Sequence, residues 1–148
     1  MSDIVVRPVE LGDRTAWEPL WKGYQQFYKV DLPAEVTETT WQRFHNPAEP
    51  VYALVAEREG QLIGVTHYLF HRSTWMLGRS CYLQDLFVAP EARGHGVGRL
   101  LIEAVYRAAK VAGAERVHWL THETNSTAMH LYDRIADRSG FVQYRKNL

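Results

Sequence analysis

The sequence predicts an α+β fold: a single domain with a mixed, mostly antiparallel central sheet flanked by helices. Three observations predict it. Residues 51–88 hold three runs rich in apolar, β-branched and aromatic residues, separated by turn signals, as consecutive antiparallel strands do. From Val97 onward Leu100, Leu101, Ala104, Val105 and Ala108 fall at helical spacing, with Arg99, Glu103, Arg107 and Lys110 elsewhere, which describes an amphipathic helix. A strand precedes that helix and a short one follows it, and a right-handed crossover sets two such strands parallel. A chain of 148 residues is the size of one hydrophobic core.

Taken in order, Ile4-Val5-Val6-Arg7-Pro8 reads as a first strand that Pro8 stops. Asp13 is placed to cap a helix whose apolar residues, Trp17, Leu20, Trp21, Tyr24, Phe27 and Tyr28, share one face. A second helix or turn is expected over residues 33–44, ended by Asn46-Pro47. Residues 51–57 form the next strand, and Glu59-Gly60 makes a two-residue loop into a strand over 62–70. Residues 73–80 are a connection, and 81–88 the following strand. The amphipathic helix ends near Gly113. A short strand over 117–120, a helix over 127–136 and a last strand over 141–145 complete the chain. No internal repeat, linker or low-complexity stretch interrupts it, so residues 1–148 are expected to form one unit.

Composition narrows the function. Lys+Arg and Asp+Glu both count 17, so no excess positive field exists to hold a polyanion, and nucleic acid is not an expected partner. The single cysteine, Cys81, can form no disulfide within the chain. Met1-Ser2-Asp3-Ile4 lacks the basic start and apolar stretch of a secretion signal, and no apolar run approaches the roughly 20 residues of a membrane span. The expectation is a cytoplasmic protein that does not engage membranes. Of the seven histidines, His67 and His71 are four apart, as are His118 and His122. Both pairs fall in or beside strands, where four residues span roughly 13 Å, too far for one ion. No metal site is expected.

The most informative stretch is Leu86-Phe87-Val88-Ala89-Pro90-Glu91-Ala92-Arg93-Gly94-His95-Gly96-Val97-Gly98-Arg99. A strand ends, a loop carries Arg93, and glycines open a helix. The first N–H groups of a helix lack internal partners and carry partial positive charge, so an anion such as a pyrophosphate suits them. A Walker loop would need Gly-Lys followed by Ser or Thr, whereas Gly98 is followed by Arg99 and Leu100. A dinucleotide fingerprint would need its third glycine at Arg99 or at Leu101. The pattern Arg-x-x-Gly-x-Gly fits, as Arg93, Gly96 and Gly98.

That pattern resembles the coenzyme A signature of the GNAT superfamily of N-acetyltransferases, and the order of strands and helices is similar over nearly the whole chain. Tyr82-Leu83-Gln84-Asp85-Leu86-Phe87-Val88, with Asn125 and Leu131-Tyr132, resembles the branch holding diamine and small amino-acid acetyltransferases. The resemblance implies a GNAT-like fold, acetyl-coenzyme A as cosubstrate and a homodimer with the chain end near the contact. It implies that backbone N–H groups of Gly94, His95, Gly96, Val97, Gly98 and Arg99 hold the pyrophosphate. The backbone around Leu86, Phe87 and Val88 would pair with the pantetheine arm. Asn125 would hydrogen-bond pantetheine or substrate, or serve as a turn residue or cap beside Ser126.

Acetyl transfer needs a neutral amine, a thioester beside it and stabilisation of the oxyanion; the amine attacks directly, so no protein nucleophile is required. Cys81, early in an apolar strand, reads as a buried structural residue. By resemblance, Tyr132 sits near the coenzyme A sulfur and protonates the leaving thiolate; otherwise it is a core aromatic spaced with Met129. Asp85 interrupts an apolar strand, and a buried carboxylate must be paired. It either binds the substrate ammonium and accepts its proton, or pairs with an arginine such as Arg79. Gln84, expected beside the acceptor, departs from the glutamate of the diamine enzymes and cannot act as a base. An α-amine, with a reference pKa near 8 against about 10.4 for a lysine-like amine, needs less help. An amino acid or similar small amine therefore suits this site better than a polyamine. Tyr28 and its neighbours at the end of the first helix either complete the core or line the acceptor pocket. Two other readings stay open: acetylation of a protein lysine or N-terminus, and a non-catalytic acyl-coenzyme A sensor.

Overall fold

The computed structural model describes residues 3–148. Strand β1 (Val5–Pro8) leads through a 3-10 turn (Leu11–Asp13) into helices α1 (Arg14–Phe27) and α2 (Ala34–Phe44). Strands β2 (Val51–Arg58), β3 (Gln61–Arg72) and β4 (Arg79–Val88) follow. Helix α3 (Val97–Val111), strand β5 (Arg116–His118) and helix α4 (Ser126–Ile135) come last. The sheet runs in the order β1-β2-β3-β4-β5, antiparallel throughout except that β5 lies parallel to β4. This is the mixed sheet that the sequence predicts. The hairpin between β2 and β3 turns on Glu59 and Gly60, whose φ values of 52° and 76° are both left-handed, as a two-residue turn matching strand twist requires.

Helices cover both faces. On one, α3 packs Val97, Leu101, Ile102 and Val105 against Leu54, Ile63, Tyr68, Phe70, Cys81 and Leu83. On the other, Trp17, Leu20 and Trp21 of α1 and Trp41 of α2 cover Val55, Val65 and Phe87. The predicted stripe of α3 is right but for Leu100, which is 39% exposed while Ile102 takes its place inside. Phe27 and Tyr28, assigned to the apolar face of α1, lie at the exposed end of that helix, and Gln25 is buried instead. Its Oε1 accepts the Leu32 N–H at 3.0 Å and so fastens the α1–α2 link.

Two expectations are corrected. Asp13 stands at the start of α1 but does not cap it with its side chain. The carboxylate instead accepts the Glu10 N–H at 2.7 Å and a forked pair from Arg7 at 2.8 and 3.1 Å, tying β1 to the turn. Residues 141–145 form no strand, and Phe141 and Tyr144 are 78% and 95% exposed. Their alternation favours an extended chain, but a strand forms only where a neighbour takes its N–H and C=O groups, and none does here.

The feature that positions the site is a β-bulge. Across β3 and β4, His67 pairs with Asp85 and Tyr68 with Leu83, which leaves Gln84 as an extra residue. One extra residue flips every later side chain to the opposite face. Cys81 and Leu83 accordingly face α3, whereas Phe87 and Ala89 face α1. Asp85 falls on the α1 side, beside His67.

Candidate active site

Strands β4 and β5 pair only at Ser80–Arg116, Cys81–Val117 and Tyr82–His118 and then part. Beyond that point one edge of β4 is left without a strand, and the opening leads into a cleft of about 610 Å³. Its walls come from α1 (Tyr24, with Tyr28 at its end), β4 (Tyr82, Gln84, Asp85, Leu86), the loop after β5 (Trp119, Thr121) and α4 (Tyr132). The chain end adds Phe141 and Arg145. The fold thus brings Tyr28, Gln84, Asp85, Leu86 and Tyr132 to one place. A second hollow of about 500 Å³, between α1 and the end of β4, is lined by Leu20, Phe27, Leu62 and Phe87, with Glu91 and Arg93 as its only charged groups.

Asp85 is the polar centre of the cleft. Its Oδ2 lies 2.9 Å from Nδ1 of His67, which is only 3% exposed. On the other side of that ring, Nε1 of Trp17 donates to Nε2 of His67 at 3.1 Å. An indole N–H can only donate, so Nε2 is the acceptor, and Nδ1 carries the hydrogen and donates it to Asp85. His67 is therefore neutral, and the pair is a hydrogen bond rather than an ion pair. The expected alternative partner, Arg79, is elsewhere: its guanidinium carbon lies 4.5 Å from the centre of the Phe70 ring and it donates to the Ala112 carbonyl. Among the described residues, no Lys or Arg pairs with Asp85. Three tyrosines face it. Burial, then the Asp85 charge, pushes the Tyr24 phenol well above the usual range, and the same two causes raise Tyr28 and Tyr82.

Tyr132 stands across the cleft, its ring edge-on to Trp119 with centres 5.4 Å apart. Burial, then the neighbouring Tyr28, pushes its phenol up to about 12, so at neutral pH it is a donor and not a base. Its ring packs against the α3 core while facing the cleft. Asn125 precedes α4 without capping it, and its side-chain amide donates to Thr121 Oγ1 at 3.2 Å.

The glycine loop has the geometry of an anion cradle. Gly94 and Gly96 have φ of 82° and 78°, the left-handed region that favours glycine. Gly96 precedes α3, and no side chain caps the helix start, so its first N–H groups stay open. Gly98 is different. A Cβ there would meet only Val88 at 3.9 Å and Leu131 at 4.0 Å, ordinary contacts, so packing within the chain does not require glycine. The side chain of Arg93 folds back to donate to the Val88 carbonyl at 3.1 Å, above the Phe87 ring. Arg99 Nε donates to Glu103 at 2.8 Å, and Val97 is buried, so Val97 can offer the loop only its main chain, while His95 is exposed.

Sequence reasoning missed His67 except as a metal candidate, missed that Trp17 is its partner, and missed Tyr82 and Trp119 as cleft residues. One signal was present. Cys81 and Leu83 alternate with polar or half-exposed neighbours, whereas Leu86, Phe87 and Val88 run consecutively, and such a break of phase marks a bulge.

A model of the acetyltransferase (GNAT) family matches residues 17–136. The chain is 40% identical over 146 residues to the D-amino-acid N-acetyltransferase HPA3 of Saccharomyces cerevisiae, spanning 97% of this chain and 91% of that one. It is 33% identical over 144 residues to the thialysine N-epsilon-acetyltransferase of Bos taurus, spanning 91% and 84%. A solved structure of the aminoglycoside N-acetyltransferase AAC(6')-Iy in complex with CoA shares the fold with a TM-score of 0.84 at 19% identity, over 100% of this chain and 97% of that one.

Cys81 lies outside this cleft, fully buried in the α3 core, and burial pushes its thiol up to about 11. The folded protein should leave a thiol reagent unreacted at pH 8, with one equivalent consumed after unfolding in urea. Because burial holds the folded thiol above its ordinary value of 9.0, this group's contribution to stability is complete below pH 9 and lost as pH rises through about 11. Rapid labelling of the native protein would contradict the buried placement.

Proposed function

The chain belongs to the acetyltransferase (GNAT) family and is an N-acetyltransferase, and on that premise we propose that it acetylates the amine of an amino acid or similar small molecule, using acetyl-coenzyme A. The observation that carries this reading is Asp85, a carboxylate at the base of an aromatic cleft with no cation paired to it among the described residues. A carboxylate so placed attracts an ammonium. The relatives named for D-amino-acid and thialysine acetylation support a small amine, and Arg145 in the cleft lining supports an acceptor that carries a carboxylate.

The loop supports coenzyme A. A glycine at 98 that packing does not demand leaves room for a diphosphate to approach the main chain of Gly94, His95, Gly96, Val97, Gly98 and Arg99. Arg93 keeps the end of β4 against this loop, the free edge around Leu86, Phe87 and Val88 would take the pantetheine amides, and Asn125 would border them. Acetyl-coenzyme A supplies the thioester whose acetyl group passes to the amine nitrogen as the thiol leaves.

The chain's own residues have three tasks in that reaction. Asp85 binds the acceptor ammonium and takes its proton, freeing the nitrogen lone pair for direct attack in a ternary complex. Gln84 and Tyr28 flank the acceptor with neutral polar groups; neither is a base, which suits an α-amine already partly neutral at pH 7. Tyr132 faces the leaving sulfur. A thiol titrates near 8.5 and Tyr132 near 12, so full proton transfer to a solvated thiolate is uphill. Tyr132 works chiefly as a hydrogen-bond donor that stabilises the thiolate as it forms.

The same reading takes residues 1–148 as one working unit in the cytoplasm, without nucleic acid or membrane as partner; no described helix is long and apolar enough to cross a membrane. It also takes the protein as a homodimer that meets through the chain end, where Phe141, Val142 and Tyr144 are exposed.

Three outcomes are expected. In a screen of amino acids of both chiralities, polyamines and lysine peptides with acetyl-coenzyme A, thiol release should be strongest with free amino acids; a response confined to polyamines or peptides would reject the substrate class. Tyr132→Phe should lower kcat by about 10- to 1000-fold while calorimetry finds coenzyme A affinity nearly unchanged; full turnover would remove Tyr132 from the reaction. Sedimentation should give a dimer that dissociates when Phe141, Val142 and Tyr144 are replaced by serine, and a wild-type monomer would refute the assembly.

A further inference from the structure

His67 is a buried titratable group beside the cleft that the proposed reaction does not use. We propose that His67, locked in one tautomer by Trp17, is a positioning residue that aims the Asp85 carboxylate at the acceptor. The proposal rests on the reading that Asp85 receives the acceptor's ammonium.

Geometry comes first. The bulge at Gln84 puts Asp85 directly opposite His67, so the two side chains leave the sheet on the same face. His67 Nδ1 then reaches Oδ2 at 2.9 Å, and the carboxylate is held by a partner on the strand beside it. His67 itself cannot swing. It is boxed by Trp17, Trp21 and Phe44, with ring centres 6.0, 5.1 and 4.8 Å away.

The Trp17 indole decides which hydrogen the imidazole carries. If Nε2 bore the hydrogen, two N–H donors would face each other at 3.1 Å, and the bare Nδ1 would confront a carboxylate oxygen. If both nitrogens bore hydrogens, the imidazolium would have no lone pair for the indole, and its charge would cancel that of Asp85. Only the neutral ring with its hydrogen on Nδ1 satisfies both neighbours. Trp17 therefore keeps His67 neutral, and a neutral His67 leaves the Asp85 charge available for an incoming ammonium.

The same arrangement excludes a proton relay. A relay needs a second nitrogen able to pass the proton on, and Nε2 is occupied by an indole that cannot accept one. Trp17 is fully buried, out of contact with bulk solvent. His67 orients and does not carry.

The test is steady-state kinetics of His67→Leu, His67→Asn, Asp85→Asn and the double variant His67→Leu/Asp85→Asn, with folding checked by circular dichroism. Asp85→Asn should raise the acceptor KM at least 20-fold, on the order of 1.8 kcal/mol. His67→Leu should raise it about 10-fold and leave the acetyl-coenzyme A KM within twofold. His67→Asn, whose amide N–H₂ can occupy the place of Nδ1, should recover to within about threefold of wild type. In the double variant the histidine change should add nothing, because its target is gone. Equal effects of Leu and Asn, or an undiminished loss in the double variant, would overturn the positioning role. An acceptor KM unmoved by Asp85→Asn would instead show that the docking reading itself fails. Should His67→Leu not fold, nitrogen-15 spectra of the wild-type imidazole decide the matter: the neutral ring with hydrogen on Nδ1 supports the proposal, and the other tautomer or the imidazolium refutes it.

Discussion

Between Leu83 and Asp85, strand β4 carries one residue more than β3 can match, and the site is built on that mismatch. With the ladder in step, Asp85 would continue the row of Cys81 and Leu83 and enter the apolar layer under α3. The bulge turns it to the α1 face. There His67, Tyr24 and Tyr28 are within reach, and the same shift turns Phe87 and Ala89 into the tryptophan layer. A backbone irregularity of one residue thus sets which core receives a charge and which receives apolar side chains. Gln84, the residue that makes the bulge, looks into the cleft as a result.

A second constraint acts from the other side of β4. A parallel partner that stopped nowhere would seal the edge of the strand, but β5 is only three residues long. At the last pair, Tyr82 and His118 stack with ring centres 5.0 Å apart and planes within 2° of each other. Past that point the strands diverge, and the open edge of β4 runs toward the start of α3. The uncapped start of α3 therefore stands beside the end of that strand, where a Cβ at Gly98 would lie 3.9 Å from Val88. Gly23 shows how closely the opposite wall is drawn in: a Cβ there would come within 2.7 Å of the Phe87 ring, so α1 rests directly on β4. The cleft is held between a helix packed directly on the sheet and the stretch of β4 that has no neighbour on its β5 side.

Much of this was legible in residue order. The hairpin at Glu59-Gly60, most of the stripe of α3 and the glycine turn that opens that helix are local patterns, set by turn chemistry and helical period, and the structure has them. Asp85 and Tyr132 were legible as candidates because a carboxylate in an apolar strand and a tyrosine in that sequence context stand out. What failed were relations between distant residues. His67 and Trp17 are 50 positions apart and meet only through the sheet register, which period counting cannot supply. The strand expected over residues 141–145 failed for a related reason: alternation describes a side-chain pattern, while a strand also needs a partner edge. The loose assignment of Phe27 and Tyr28 to the core shows the same limit, since a helical face continues past the point where the sheet beneath it ends.

The energetic oddity of the site is also its best physical clue. A half-shielded carboxylate without a cation lowers stability relative to an apolar residue of similar size, and an arginine nearby would relieve it. This fold has Arg79 on the same strand, yet that side chain lies over Phe70 and leaves Asp85 to neutral donors. Neutral donors reduce the desolvation cost without cancelling the charge, so the electrostatic attraction for a cation survives folding. An arginine partner would have made the domain more stable and the cleft indifferent to ammonium. An imidazole fixed by an indole, in a chain with 17 Lys and Arg residues to draw on, therefore leaves the Asp85 charge uncancelled, as its proposed role toward an acceptor ammonium needs.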